Sequence, residues 1–120
     1  MASSDKTSES PWADYLEKLD KRQKDAVLQT MEIAEREFPG AVRVMSYGVP
    51  TIKLNKKYIM AVGANKDFFS VYPFGWSAIE ATKHLLHGLS YSKGTIRFPY
   101  DQLPSKEQIK AIVVYKTTDQ

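Results

Sequence analysis

The stretch from Ala41 to Pro73, AVRVMSYGVPTIKLNKKYIMAVGANKDFFSVYP, decides the fold. Four β-type runs occur there, AVRVMSY, TIKLN, YIMAVGA and FFSVYP, and the period of the apolar pattern changes from about 3.6 to about 2 at residue 41, which is typical of β-strands. Polar or glycine-containing connections separate the runs, and connections this short favour antiparallel neighbours. The stretch therefore predicts a four-stranded antiparallel meander in which Gly48 takes a positive φ at the first turn.

Before residue 41 the period is that of a helix. Two helices are predicted, a short one carrying Trp12, Tyr15, Leu16 and Leu19 and a longer one carrying Val27, Met31, Ala34 and Phe38. Asp20 followed by Gln23 forms a capping box that divides the two helices, and Pro39-Gly40 ends the second.

After the meander, WSAIEATKHLLHG (76–88) predicts a helix, Thr95–Phe98 a fifth strand, and Ser105 with Gln108 a capping box that opens the last helix. A run of strands flanked by helices implies an α+β fold: an antiparallel sheet of about five strands with helices packed on one face. We expect a mobile polar tail at 1–10 and a single domain at 11–118.

Composition excludes several classes of protein. The chain has no cysteine, so disulfides, thiolate metal sites and cysteine nucleophiles are ruled out. The longest apolar runs, such as YIMAV, are far shorter than a membrane span, and the polar start is unlike a signal peptide, which together predict a cytoplasmic protein without a membrane segment. The formal charge of +3 is small and dispersed, and it gives no reason to expect nucleic-acid binding.

The segment SKGTIRFP (92–99) is the first candidate site. Strand alternation places Thr95 and Arg97 on one face and Ile96 and Phe98 in the core. Gly94 lets a ligand approach the backbone beside Lys93. The candidate pocket for a small anionic ligand comprises Tyr47, Lys53, Tyr72, Lys93, Thr95 and Arg97. The alternative is a strand whose cations are solvated or paired with an acid.

Acidic residues of the two N-terminal helices are the second candidate. Several carboxylates on one ridge can bind a hard cation such as Fe(III), and the residues in question are Asp14, Glu17, Asp25, Glu32 and Glu35. Arg22 and Arg36 stand at helix ion-pair spacing from Asp25 and Glu32, so a self-paired helix surface is the alternative.

Four segments resemble the YdhG-like family, a group of small bacterial proteins of largely unknown function. They are SYGVPTIKL (46–54), FFSVYPFG (68–75), SKGTIRFPYDQLP (92–104) and IKAIVVYK (109–116), and the resemblance extends over residues 12–116. It implies a frataxin-like two-layer sandwich of helices over an antiparallel sheet. One branch of the family is described as a frataxin-type intracellular iron chaperone.

The resemblance leads to a non-enzymatic intracellular binding protein as the first hypothesis. As an iron chaperone, it would use the five acidic residues to hold iron for iron–sulfur cluster or haem assembly proteins. A module that binds a small molecule or anion through the Lys/Arg/Tyr pocket is the second hypothesis. An adaptor that exposes the FGW turn (74–76) to another protein is the third.

Overall fold

The computed structural model of the chain describes residues 11–74, 83–86, 88–92 and 94–118. These residues form three α-helices, one short 3-10 helix (Lys83–Leu85) and a six-stranded sheet. The helices are α1 (Ala13–Glu17), α2 (Lys21–Glu37) and α3 (Lys106–Thr118). The strands are β1 (Val42–Ser46), β2 (Val49–Leu54), β3 (Lys57–Ala64), β4 (Phe68–Tyr72), β5 (Ser90–Ser92) and β6 (Thr95–Pro99).

Both predicted capping boxes are confirmed. At the start of α2 the Gln23 N–H donates to Asp20 Oδ1 at 2.8 Å, and the Asp20 N–H donates to Gln23 Oε1 at 3.0 Å. Ser105 and Gln108 make the same reciprocal pair before α3, at 2.8 and 3.0 Å. Each box satisfies backbone N–H groups that have no partner inside the helix, which fixes where the helix begins.

The sheet has the order β1-β2-β3-β4-β6-β5, with antiparallel pairing between all neighbours. The first four strands form the predicted meander. The prediction of about five strands is one short, because Ser90–Ser92 pairs with β6 as an additional edge strand. That strand has only three residues, all exposed, so it lacks the apolar alternation by which the others were recognised.

The core lies between α2, α3 and one face of the sheet. From the helices it takes Val27, Met31, Ala34, Ile109 and Ile112, and from the strands Ile52, Met60, Val62, Phe69, Val71, Ile96 and Phe98. This arrangement confirms the α+β prediction of helices packed over an antiparallel sheet. Strand alternation directs the intervening side chains to the opposite side of the sheet, called the outer face below. Thr51, Ala61, Tyr72 and Arg97 belong to it.

Trp12 joins the N-terminal segment to the sheet. It is the N-cap residue of α1, directly before Ala13, and it is fully buried. Its Nε1–H donates to the Val44 carbonyl at 2.8 Å, and the Arg43 guanidinium lies 4.3 Å from the centre of its ring. Three residues further along, the Tyr15 hydroxyl accepts from the Ala64 N–H at 2.8 Å. These contacts hold α1 against β1 and β3.

Several predictions concern residues outside the described part of the chain. They are the mobile tail at 1–10, the ligand residue Lys93, the Trp76 of the FGW turn, and most of the helix at 76–88. Of that helix the structure describes 83–86 and 88, where Lys83–Leu85 form a 3-10 helix. None of the described helices is both long enough and apolar enough to cross a membrane.

Candidate functional site

A pocket of about 310 Å³ lies on the outer face, where the β1–β2 turn, the end of β4 and the β5–β6 turn meet. We call it the aromatic pocket. The described residues that line it are Tyr47, Val49, Ala61, Tyr72, Phe74 and Gly94. Three aromatic rings and two small aliphatic side chains make this lining apolar, and none of these residues is charged.

Two small residues of β3 leave room for the pocket. Ala61 and Gly63 alternate with the core residues Met60 and Val62, so they face outward from a central strand of the sheet. A Cβ on Gly63 would lie 3.0 Å from Val49 Cγ1 and 3.3 Å from Tyr72 Cε2. Because Gly63 has no side chain, the side chains of Val49 and Tyr72 can pack closely against the sheet at this position.

The rim of the aromatic pocket carries two aromatic residues in the left-handed backbone region, with φ of +55° at Tyr47 and +57° at Phe74. Their ring centroids are 6.3 Å apart, and the Tyr47 side chain is 88% exposed. Positive φ is unusual for a bulky residue and costs free energy. The backbone thus holds two aromatic side chains at the rim at the expense of stability.

Tyr58 extends this group of rings, because it stacks on Phe74 with centroids 5.4 Å apart. The ammonium of Lys53 lies 5.5 Å from the centre of the Tyr58 ring, which places it one ring away from the pocket lining. Lys53 was predicted as a ligand residue. In the structure it supplies positive charge next to the aromatic pocket and does not line it.

Arg97 lies elsewhere on the outer face. Its two terminal nitrogens donate to Ser90 Oγ at 3.2 Å and to Ser92 Oγ at 3.1 Å, across the β5–β6 ladder. Thr95 is on the same face, paired with Ser92 and directly after the lining residue Gly94. The structure therefore brings Tyr47 and Tyr72 together, leaves Lys53 and Arg97 outside the lining of the aromatic pocket, and does not describe Lys93.

Two acidic residues of α2, Asp25 and Glu35, form ion pairs, although not the pairs predicted from helix spacing. Asp25 bonds Lys21 at 2.7 Å, and Glu35 accepts two bonds from Arg43 of β1, at 2.8 and 3.0 Å. Arg22 instead donates to the Lys66 carbonyl and lies over the Tyr100 ring, with its guanidinium carbon 4.3 Å from the ring centre. Asp25 and Glu35 thus bind two different partners, one on α2 itself and one on β1.

The electrostatic consequences of these pairs are local. The hydrogen bond that Arg43 donates to Glu35 raises the pKa of Arg43, and the hydrogen bond that Lys21 donates to Asp25 raises the pKa of Lys21. Among the described residues, which include all five acids of the predicted iron site, no three acidic or histidine side chains come close enough together to hold a metal ion. Iron binding by Asp14, Glu17, Asp25, Glu32 and Glu35 stays a prediction.

Sequence reasoning found three of the lining residues, Tyr47, Tyr72 and Gly94, and missed Val49, Ala61 and Phe74. A usable signal was present in YIMAVGA, where Ala61 and Gly63 are the small residues on the face opposite Met60 and Val62. Small side chains two positions apart on a central strand mark a place where other groups approach the sheet closely.

Neither a protein-family model nor a curated protein matches this chain. Among solved structures, it is similar to the crystal structure of YdhG from Bacillus subtilis, a protein of the DUF1801 family. The two chains are 14% identical and superpose with a TM-score of 0.83 over 91% of this chain and 90% of the other. This likeness supports the YdhG-like fold expected from the sequence and gives no support to a frataxin-type link. The chain therefore has the α+β fold of this DUF1801 protein.

Proposed function

We propose that the protein binds a small molecule with a flat apolar ring system in the aromatic pocket. A volume of about 310 Å³ is at the lower end of the range for small-molecule sites, which are lined mainly by apolar and aromatic side chains. Aromatic rings bind flat apolar groups through offset or edge-to-face contacts, and Tyr47, Tyr72 and Phe74 supply three such rings.

The single observation that carries this proposal is the combination of exposure and positive φ at Tyr47. An aromatic ring that is 88% exposed contributes little to the core, and a tyrosine is a poor choice for a turn position that suits asparagine or glycine. The ring therefore serves a contact outside the core, and the structure places it beside the Phe74 ring.

Polar groups at the pocket give it a means of orienting a ligand. The Tyr47 and Tyr72 side chains each carry a hydroxyl that can donate and accept. Gly94 brings backbone into the lining at φ +83°, with nothing within 4 Å of the position a Cβ would take. A ligand that stacks on the rings and has one polar substituent would use both features.

The test is a titration with N-phenyl-1-naphthylamine, a neutral flat probe, followed by its fluorescence and by amide NMR shifts. We expect saturable binding with amide shifts at residues 47–49, 72, 74 and 94. Tyr47→Ala should weaken binding about three- to tenfold, the amount expected for one lost aromatic contact. The matched control is Tyr91→Ala, because Tyr91 is also exposed but lies on the helix face, paired with Ile96.

Two results would contradict the proposal. One is a probe that causes no saturable change in the unmodified protein. The other is an equal loss of affinity in the Tyr47→Ala and Tyr91→Ala variants, which would mean that the probe binds exposed tyrosines in general. The Tyr47→Ala variant should keep the melting temperature close to that of the parent, because Tyr47 is 88% exposed. Tyr91 is 37% exposed, so affinities of both variants are compared well below their measured melting temperatures.

The iron-chaperone hypothesis needs a separate titration. Anaerobic Fe(II) should broaden amide signals confined to residues 14–37 if the predicted acids bind it. Replacing those five acids by their amides should then abolish the effect. The probe titration and the iron titration report on opposite faces of the sheet, so either can fail without affecting the other.

A further inference from the structure

A second pocket of about 250 Å³ lies on the outer face beside the β5 edge of the sheet. We call it the arginine pocket. The described residues that line it are Phe68, Gly88, Leu89, Ser90, Arg97 and Pro99. Pairing in the sheet places Phe68 opposite Pro99, and Arg97 between Ser70 and Ser90, so strands β4, β6 and β5 together position most of the lining.

Arg97 is a cation held by two serines, and among the described residues no acid neutralises it. Its bonds to Ser90 Oγ and Ser92 Oγ occupy one N–H on each terminal nitrogen and orient the guanidinium along β5. A guanidinium has five N–H donors, so three remain for another acceptor. Within the part of the chain that the structure describes, no carboxylate lies within ion-pair distance of Arg97.

The surroundings of this cation are mixed in character. Phe68, Leu89 and Pro99 give the pocket three half-buried apolar walls, while Ser90 and Arg97 supply its polar groups. The serine hydroxyls accept from Arg97, which leaves their own O–H protons available to donate. An anion placed at the guanidinium would therefore meet charge-assisted donors at one end and apolar surface at the other.

We propose that the arginine pocket binds the carboxylate of a small organic acid with a short apolar tail. The guanidinium is a planar fork that matches a carboxylate with two parallel hydrogen bonds. The apolar walls favour an organic anion over an inorganic one, because only the organic anion removes their surface from water on binding. This site is separate from the aromatic pocket and does not depend on the function proposed for it.

The test uses hexanoate, with hexanamide and inorganic phosphate as matched ligands, in amide NMR and calorimetric titrations of the full chain. We expect saturable hexanoate binding with amide shifts centred on residues 68, 89, 90 and 97. Hexanamide has the same tail without the charge, and phosphate has charge without the tail. Hexanoate should bind more tightly than hexanamide by about tenfold or more, the effect of hydrogen bonds to a charged group.

Variants identify the group responsible. Arg97→Gln should weaken hexanoate binding about tenfold or more, whereas Arg97→Lys, which keeps the charge and loses the fork, should recover part of that loss. The control is Arg36→Gln, which removes one exposed positive charge at the end of α2, far from the pocket in sequence and on the helix side of the sheet. Its affinity for hexanoate should equal that of the parent.

The outcomes separate cleanly. Absence of saturable hexanoate binding, or equal affinity for hexanoate and hexanamide, overturns the proposal. Phosphate binding as tight as hexanoate overturns the organic-acid assignment in favour of a plain anion site. Should Arg97→Gln fail to fold, the double variant Ser90→Ala/Ser92→Ala tests the same site, because it releases the guanidinium from its two anchors and should still weaken hexanoate binding.

Discussion

The β1–β2 turn places an aromatic residue in a backbone conformation that few side chains tolerate. Tyr47 has φ +55° and Gly48 φ +77°, so the turn needs positive φ at both central positions. A left-handed conformation destabilises a non-glycine residue by about 1–2 kcal/mol, and glycine avoids this cost. Glycine also makes the unfolded chain more flexible, which lowers the free energy of unfolding by roughly 0.5–1 kcal/mol and offsets part of the gain. We therefore expect Tyr47→Gly to be more stable than Tyr47→Ala by about 0.5–1 kcal/mol. Asparagine should fall between them.

Comparing three variants at one position removes the contribution of the ring, since all of them lack it. Urea unfolding followed by tryptophan fluorescence measures the difference, with the buried Trp12 as one reporter. The control is Lys56→Gly in the next turn, where Asn55 and Lys56 have φ of +52° and +69° and are exposed. It should also gain about 0.5–1 kcal/mol, and it should leave binding of N-phenyl-1-naphthylamine unchanged.

Equal stability of the alanine, asparagine and glycine variants would refute the reasoning, because it would mean that position 47 does not have positive φ. Probe binding tests separately whether the Tyr47 ring is part of the binding site. The glycine and asparagine variants should bind the probe as weakly as the alanine variant, however stable they are. Full probe binding by Tyr47→Asn would show that the ring is not part of the site.

Three further changes test other parts of the structure. Thr30→Val should raise the free energy of unfolding by about 1 kcal/mol in urea titrations, because the Thr30 hydroxyl is buried in α2 without a hydrogen-bond partner; lower stability would indicate a bonded hydroxyl. Gly63→Ala should weaken binding of N-phenyl-1-naphthylamine, since the new Cβ would lie 3.0 Å from Val49 Cγ1 and displace it or Tyr72; unchanged affinity would contradict this. Burial raises the pKa of Tyr100 above its ordinary value of 10.0. The stability that the neutral phenol contributes is therefore complete below about pH 10 and is lost as the pH rises through the folded-state pKa. Unfolding curves of Tyr100→Phe should show a smaller loss of unfolding free energy at alkaline pH than those of the parent, and an equal loss would contradict this.

Most of the fold was predictable because its signals are local. The change from a helical period to a period of two at residue 41, and the two capping boxes, depend on residues a few positions apart. Strand β5 was not predictable in this way, because Ser90, Tyr91 and Ser92 form an exposed edge strand that pairing with β6 alone defines. The position of Trp12 outside α1 also depends on a distant partner, the Val44 carbonyl.

The candidate sites were only partly predictable, because a pocket depends on register between strands. Tyr47 and Tyr72 were found from their glycine and proline neighbours, and the pocket joins them through β3, which pairs Ala61 with Tyr72. Arg97 was grouped with them because its strand faces the same side. Its guanidinium instead turns to Ser90 and Ser92, and this choice depends on a strand that the sequence did not reveal.

The acidic residues of α2 also have a partner that helix spacing does not predict, and this partner decides what iron binding would require. Glu35 holds Arg43 with two hydrogen bonds in a half-buried setting, and Arg43 in turn covers the Trp12 ring. Hydrogen bonds to charged groups contribute about 1.5–3 kcal/mol each, so a metal that recruited Glu35 would have to replace them. Asp25 is easier to release, because its pair with Lys21 is exposed and water screens the attraction between the two charges. Iron that binds α2 should therefore engage Asp25 before Glu35, and iron binding that leaves the Arg43 side-chain signals unchanged would be consistent with that order.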